Sequence, residues 1–395
     1  MRRLLLMAFI LPAIFQARAD TVVVLPFFNI SKSSNLDWIG ESISETIREA
    51  LTSEGVLVLD REEGQEAYRR LSIRRYRLLT RASVIKIGEA LDAAHVIYGQ
   101  FGLTPSDGSP ASSRGSLRIT ARILDRKRMK QGPEFAEIGA LEDLATLQTR
   151  LAWRSLQLMT PKTVPSEEEF RKRRPPVRLD AMESYVRGLL AATQDQKHRF
   201  FTQAVRLDDG LSQACFQLGR MHWEKKDHRV AAGWLERVRS TDPRFREANF
   251  LLGLCRYHTA DYAGAQAAFQ LVARFVPLNE VFNNLGAAQS RRNMPQALEN
   301  FRKALEGDPA EPDYHFNLGY ALWKQGEFTA AAERFRAALD RMPEDSEAIT
   351  MLGRCLKQSG PRPGDPRSDG LERLKQNYEE IHYRRLKAEL ETPRP

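Results

Sequence analysis

The sequence predicts a molecule in two parts, an α/β domain with a mixed sheet of about five strands followed by an all-α solenoid of helical pairs. Three observations predict it. Over residues 20–158, short apolar runs alternate with stretches whose apolar residues recur every four positions, the signature of βαβ units. Residues 181–358 carry a phased repeat of about 33 residues, the signature of a solenoid. Between them, residues 159–180 are rich in Pro and charge and read as a linker. The chain has 395 residues, 42% of them apolar, with three Cys and 60 Lys+Arg against 51 Asp+Glu. That composition excludes collagenous, disordered and disulfide-framed classes.

The amino-terminal segment comes first. Arg2 and Arg3, an apolar run from Leu4 to Phe15, and Ala17-Arg18-Ala19 before Asp20 follow the order of a secretory signal peptide. The run is short for a bilayer span, so cleavage after Ala19 is expected, with an inner-membrane anchor over residues 4–15 as the alternative. No Cys lies near the cleavage point, which disfavours a lipoprotein. Loss of Arg2, Arg3 and Arg18 lowers the formal charge from +9 to 9 − 3 = +6. The expected location is periplasmic or secreted.

In the α/β domain, Thr21–Phe27 is nearly all apolar and suits a strand buried on both faces. Ile39, Ile43, Ile47 and Leu51 predict a helix after a cap at Asn35 or Asp37. Val56–Leu59 then completes a βαβ opening, and a helix over Ser83–Asp92 leads into a strand at Val96–Gly99. Leu117, Ile119, Ala121 and Ile123 alternate with Arg118, Thr120 and Arg122 as a half-exposed strand. Phe135–Gly139 adds an edge strand, and Asp143–Leu158 a closing helix. Outside these lie an Arg-rich stretch, Arg69–Arg81, and a Ser/Gly loop, Ser106–Ser116.

The solenoid is marked by Leu-Gly, then Ala, then a large apolar residue, then Pro: Leu218-Gly219, Ala231, Leu235, Pro243; Leu252-Gly253, Ala265, Phe269, Pro277; Leu285-Gly286, Ala297, Phe301, Pro309; Leu318-Gly319, Ala331, Phe335, Pro343. Leu352-Gly353 opens a fifth copy with a first helix only, and Ala181–Asp209 is a further, shortened copy. Gly and Ala are small where paired helices cross closely, and Pro ends the second helix. No pair buries its apolar face alone, so the copies stack. After a Pro/Gly linker, residues 359–370, the spacing of Leu371, Leu374, Tyr378 and Ile381 predicts an amphipathic capping helix over 371–391.

The repeat pattern resembles the tetratricopeptide repeat family over residues 181–358. Val24-Leu-Pro-Phe27 with Asn29, Asp37-Trp-Ile-Gly-Glu41, Ile87-Gly88, Val96-Ile-Tyr-Gly-Gln100 and Arg118–Asp125 resemble the TolB amino-terminal-like domain, related to curli-assembly proteins of bacterial envelopes. That second resemblance implies an envelope protein with an interaction role and no catalytic residues to carry over.

Catalytic signals are absent: there is no G-x-x-x-x-G-K-[ST], G-x-S-x-G, H-E-x-x-H or C-x-x-C. No catalytic, cofactor-binding or metal-ligating residue is assigned, and the protein is read as a non-enzyme. Cys215, Cys255 and Cys355 lie on first helices of different repeats, too far apart in register for the Cα separation of about 4.4–6.8 Å of a disulfide. They read as small buried thiols. Basic clusters at Arg69–Arg81, Arg126–Lys130 and Arg171–Arg174 are explained by solvated faces or by contact with envelope polymers or acidic lipid, in preference to nucleic acid.

The expected function is an envelope scaffold binding a protein or peptide in the concave groove of the repeats. The alternatives are an oligomeric assembly or transport component, or a ligand-sensing amino-terminal domain. Residues three before, one after and four after each Leu-Gly glycine share one helix face: Phe216, Arg220, Trp223; Phe250, Leu254, Tyr257; Asn283, Ala287, Ser290; Phe316, Tyr320, Trp323; Thr350, Arg354, Lys357. The tetratricopeptide resemblance makes this the inner face. Its aromatics are candidate anchors, and Arg220, Asn283, Arg291 and Arg354 hint at a clamp for a carboxylate. The competing reading buries the aromatics between repeats or under the carboxy-terminal segment.

Overall fold

A computed structural model describes residues 20–31, 33–74, 77–105, 115–160, 164–362, 365, 368–380, 383–384 and 387. The proposed signal peptide and most of the Ser/Gly loop lie outside the described residues.

The α/β domain comprises β1 (Thr21–Val24), β2 (Phe28–Asn29), α1 (Trp38–Ser53), β3 (Leu57–Val58), α2 (Arg61–Arg70), α3 (Arg81–Ala90), β4 (His95–Pro105), β5 (Gly115–Asp125), β6 (Lys130–Gln131), β7 (Phe135–Ala140) and α4 (Leu144–Met159). The seven strands form one mixed sheet in the order β3-β1-β4-β5-β6, with β2 beside β4 and β7 beside β5. The β3-β1-β4 pairs are parallel, with Val22 opposite Val58 and His95. The long β4–β5 pair is antiparallel, and Gly99 faces Ala121. The five expected strands are present, and the extra two, β2 and β6, have two residues each.

After Thr21, β1 is apolar because both its faces are covered. Val22 and Val24 pack with Ile39, Ile43 and Ile47 of α1 and with Leu147 and Leu151 of α4. Val23 and Leu25 pack on the other face with Ala67 of α2 and with Val84 and Ile87 of α3. Sequence periodicity did not predict α2. Its local signal is Asp60 and Glu63, which form a reciprocal capping box.

Six helical layers follow: α6 (Leu179–Leu190) with α7 (Gln194–Leu207), α8 (Ser212–Glu224) with α9 (His228–Leu235), α10 (Phe245–His258) with α11 (Tyr262–Phe275), α12 (Asn279–Arg291) with α13 (Gln296–Gly307), α14 (Pro312–Lys324) with α15 (Phe328–Arg341), and the single α16 (Ser346–Leu356). A Cβ placed on Gly219, Gly253 or Gly286 would stand 2.6, 2.7 or 2.8 Å from Leu235, Phe269 or Phe301. The Leu-Gly mark is therefore the point of closest helix crossing. Lys226, Ala260, Asn293 and Gly326, each seven residues after a mark, take positive φ and end the first helices. The three thiols are buried and free, and burial pushes Cys255 up to about 12 and Cys355 to about 11.

Two expectations are corrected. The 159–180 stretch is not a bare linker: it folds α5 (Glu167–Lys172), whose Phe170 is fully buried. The Arg174 guanidinium lies 3.9 Å from the Phe170 ring centroid and donates to the Ala50 carbonyl at 3.2 Å and to Glu54 at 2.8 Å. One hydrophobic core runs unbroken from the sheet through α1 into the repeats.

The second correction is to the first part of the carboxy-terminal capping helix; in its later part the described residues 380, 383, 384 and 387 are helical. Residues 371–379 are not helical; they cross the inner face of the repeats as an extended segment. The cause is the groove itself, whose side chains take up the backbone hydrogen bonds a helix would have used. Leu371, Leu374 and Tyr378 do pack against the repeats, and Ile381 lies outside the described residues.

Candidate functional site

The first helices α8, α10, α12, α14 and α16 present one inner face, and residues 368–380 run along it from the last repeats back toward the α/β domain. Their contacts with the floor are amide contacts. Asn317 of α14 donates to the Arg373 carbonyl at 2.7 Å and accepts from the Arg373 N–H at 2.8 Å. Asn284 of α12 does the same for Lys375, at 2.7 and 2.8 Å. Each side-chain amide thus stands in for the peptide group of a neighbouring β-strand, satisfying both polar groups of one residue. Asn283 donates a second bond to the Arg373 carbonyl at 2.8 Å, and Asn317 donates to Asn283 at 2.7 Å. All three asparagines are fully buried.

Successive side chains of an extended strand point to opposite sides, and the walls of the groove differ to match. Arg373 and Lys375 enter an acidic wall. The Arg373 guanidinium makes a bidentate pair with Asp345 at 2.7 and 2.8 Å, reaches Glu347 at 3.0 Å and Asp313 at 3.3 Å, and lies 3.6 Å from the Phe316 ring centroid. Lys375 bonds Asp313 at 2.7 Å and Glu311 at 3.0 Å. Glu372 faces the other way, its side chain wholly buried, accepting from Ser290 at 2.6 Å and Tyr257 at 3.3 Å with Lys324 at 3.7 Å. Asp369 pairs with Arg291 at 2.9 Å, and Glu380 with Arg246 at 2.6 Å.

These contacts shift the titrating groups. Burial raises Asp345, but the bonds from Arg373 and from the Ala348 N–H outweigh it and hold the carboxyl below its ordinary range. Burial alone would lower Lys375; Asp313 and Glu311 keep it above its ordinary value. Burial and the neighbouring Glu372 raise the Tyr257 hydroxyl.

Of the predicted inner-face residues, Phe316 and Tyr320 are buried beneath this segment, and Trp323 is buried against Tyr320 and Ser359. Tyr320 donates to the Ser368 carbonyl at 2.9 Å and Trp323 to the Ser359 carbonyl at 2.7 Å. Phe250 packs on Tyr378, ring centroids 4.7 Å apart. Asn283, Tyr257, Ser290 and Arg291 touch the segment as described, and Arg354 lies 3.6 Å from Asp365. Phe216 is buried elsewhere, with Arg244 5.5 Å from its ring centroid. Arg220 bonds Gln217 at 3.2 Å, and Trp223 packs on His228 and His258 at the neighbouring turns. Thr350 and Lys357 are exposed. The residues that carry the floor, Asn284 and Asn317, were missed. They occupy one repeat position, two before the glycine, 33 residues apart, and a phased pair of mid-helix asparagines was the available signal.

The other end of the groove meets the α/β domain. Arg244, beside α10, pairs with Glu45 at 2.8 Å and Glu49 at 3.3 Å of α1. Burial, with the charge of Glu45 adding to it, pushes the Glu49 carboxyl up to about 8 despite Arg244 and a 2.9 Å bond from Gln213. Among the described residues, no group of three or more His, Cys, Asp or Glu is placed to hold a metal, and no helix is long and apolar enough to cross a membrane.

The stacked helical pairs, with an extended segment lying along their inner face, define a helical-repeat protein. Residues 201–280 and 287–359 match the tetratricopeptide repeat, and the array is a tetratricopeptide solenoid behind an α/β domain with a mixed sheet. Bacteriophage adsorption protein A of Escherichia coli (strain K12) is 34% identical over 64 residues, 16% of this chain and 6% of that protein, so the chain spans a small fraction of that relative. Solved structures similar to the chain include YrrB, described as a TPR protein with an unusual peptide-binding site, at 20% identity and TM-score 0.41 over 46% of this chain and 93% of that one. MamA residues 41 to end, from Desulfovibrio magneticus RS-1, matches at 20% identity and TM-score 0.37 over 42% and 95%.

Proposed function

We propose that this protein is a non-catalytic scaffold of the bacterial cell envelope that binds another protein by taking an extended segment of it into the inner groove of the repeats. The supporting observation is the asparagine floor, which pairs with backbone N–H and C=O groups and so accepts an extended chain as such. Export is supported by the order of charge, apolar run and Ala-x-Ala site before Asp20, and the envelope by the TolB-like wording of the α/β domain. The test is capture from an envelope fraction of the native host, comparing the wild-type chain with Asn284→Ala/Asn317→Ala. A defined protein retained by the wild type and lost from the variant supports the reading. Retention that ignores both substitutions places the contact outside the groove.

A further inference from the structure

Resting on that reading, we propose that residues 368–380 are an internal copy of the ligand, and that the external partner presents an extended segment with an acidic side chain followed at once by Arg and, two residues later, by Lys. The groove reads three things along this line. Its floor takes the backbone at alternate residues, 373 and 375. One wall gathers Glu311, Asp313, Asp345 and Glu347 around the two cations, and the other offers Lys324 and Ser290 to one buried carboxylate. A segment of opposite charge order would set carboxylates against Asp345, which is 7% exposed, and a cation against Lys324, juxtapositions that exclude wrong partners.

The internal copy is held in a manner suited to exchange. Its bonds to the floor come from side chains and none from a neighbouring strand. Beside the floor it is held by ion pairs from Asp369, Arg373, Lys375 and Glu380 and by the apolar packing of Leu371, Leu374 and Tyr378. It enters the groove through Gly370, at φ +75°, where a Cβ would stand 2.6 Å from the Arg291 guanidinium. Tethered, it acts at a local concentration on the order of millimolar, so a free segment competes poorly until the tether's grip weakens.

The experiment uses the full chain and a fluorescent synthetic peptide of residues 368–380. The wild type should bind it weakly. Arg373→Glu/Lys375→Glu in the chain should bind the wild-type peptide at least about tenfold more tightly, and Gly370→Ala, which leaves the charges unchanged, should gain in the same direction. A peptide with Arg and Lys replaced by Glu should not bind either variant. If neither loosened variant gains affinity, the segment is a fixed part of the fold and the proposal fails. Equal binding of the charge-reversed peptide would overturn the stated ligand chemistry. A wild-type dimer by light scattering that dissociates with Arg373→Glu/Lys375→Glu would assign the groove to the same segment of a second copy. Any of these failures beside asparagine-dependent partner capture sinks this inference and leaves the scaffold reading intact.

Discussion

The residues that decide the array are its smallest. Gly253 has no room for a methyl group, because Phe269 fills the crossing at 2.7 Å, whereas Gly353 has nothing within 4 Å, and among the described residues no second helix follows α16 to pack on it there. Gly253→Ala should therefore destabilise by about 1–3 kcal/mol through overpacking, while Gly353→Ala should stabilise by about 0.5–1 kcal/mol through helix entropy. Urea midpoints of the two variants should move in opposite directions; equal shifts would show that the Leu-Gly mark is not a packing device. The mark was legible in sequence because it recurs in phase. Asn284 and Asn317 are not legible as binding residues because their role depends on a segment 91 and 56 residues away, and the inner-face spacing picks out the position next to theirs. Phe316, Tyr320 and Trp323 were found, but as open anchors; in the folded chain they are covered, so their truncation should cost stability as well as binding.

Among the elements, α5 and the groove segment depart furthest from the sequence expectation, for opposite reasons. Pro and charge content conceals a single buried aromatic: Phe170 fixes α5 to α4, and Arg174 ties the stretch to the carboxy end of α1. Phe170→Ala should cost about 3–5 kcal/mol. Trypsin should spare Lys172–Arg174 in the wild type and cut there first in the variant; early cutting of the wild type would restore the linker. For residues 371–379, the spacing of Leu371, Leu374 and Tyr378 fits a helix, whereas Arg373 and Lys375, two residues apart, fit a strand whose cationic residues face one wall. Periodicity cannot see the asparagines that choose between them, whereas in α1 and β1 the partner surfaces belong to the same domain and the pattern sufficed.

At the scale of the whole molecule, the α/β domain and the first repeats share one core, and Glu49 lies in the seam. A carboxyl raised from 4.5 to about 8 keeps in the native state a proton that the unfolded chain has lost, so its contribution is fully present below about pH 4.5, declines as pH rises, and is gone above about 8. Glu49→Gln should melt above the wild type at pH 9, and the gap should close toward pH 5. A gap constant across that range would show that Glu49 is ionised in the fold. The two-part organisation was readable from composition and phase, but the seam was not, because Glu45, Glu49 and Arg244 are ordinary surface residues until α1 lies against the array.

A solenoid in which each layer touches only the next behaves as a spring, its curvature set by small rotations that thermal motion can vary. The segment over the inner face, anchored to α14 and α16 at one end and to α10 at the other, is a chord drawn across that bow. It fixes the bend of the carboxy-terminal layers, so exchanging it for another chain changes the stiffness of the array together with its occupancy.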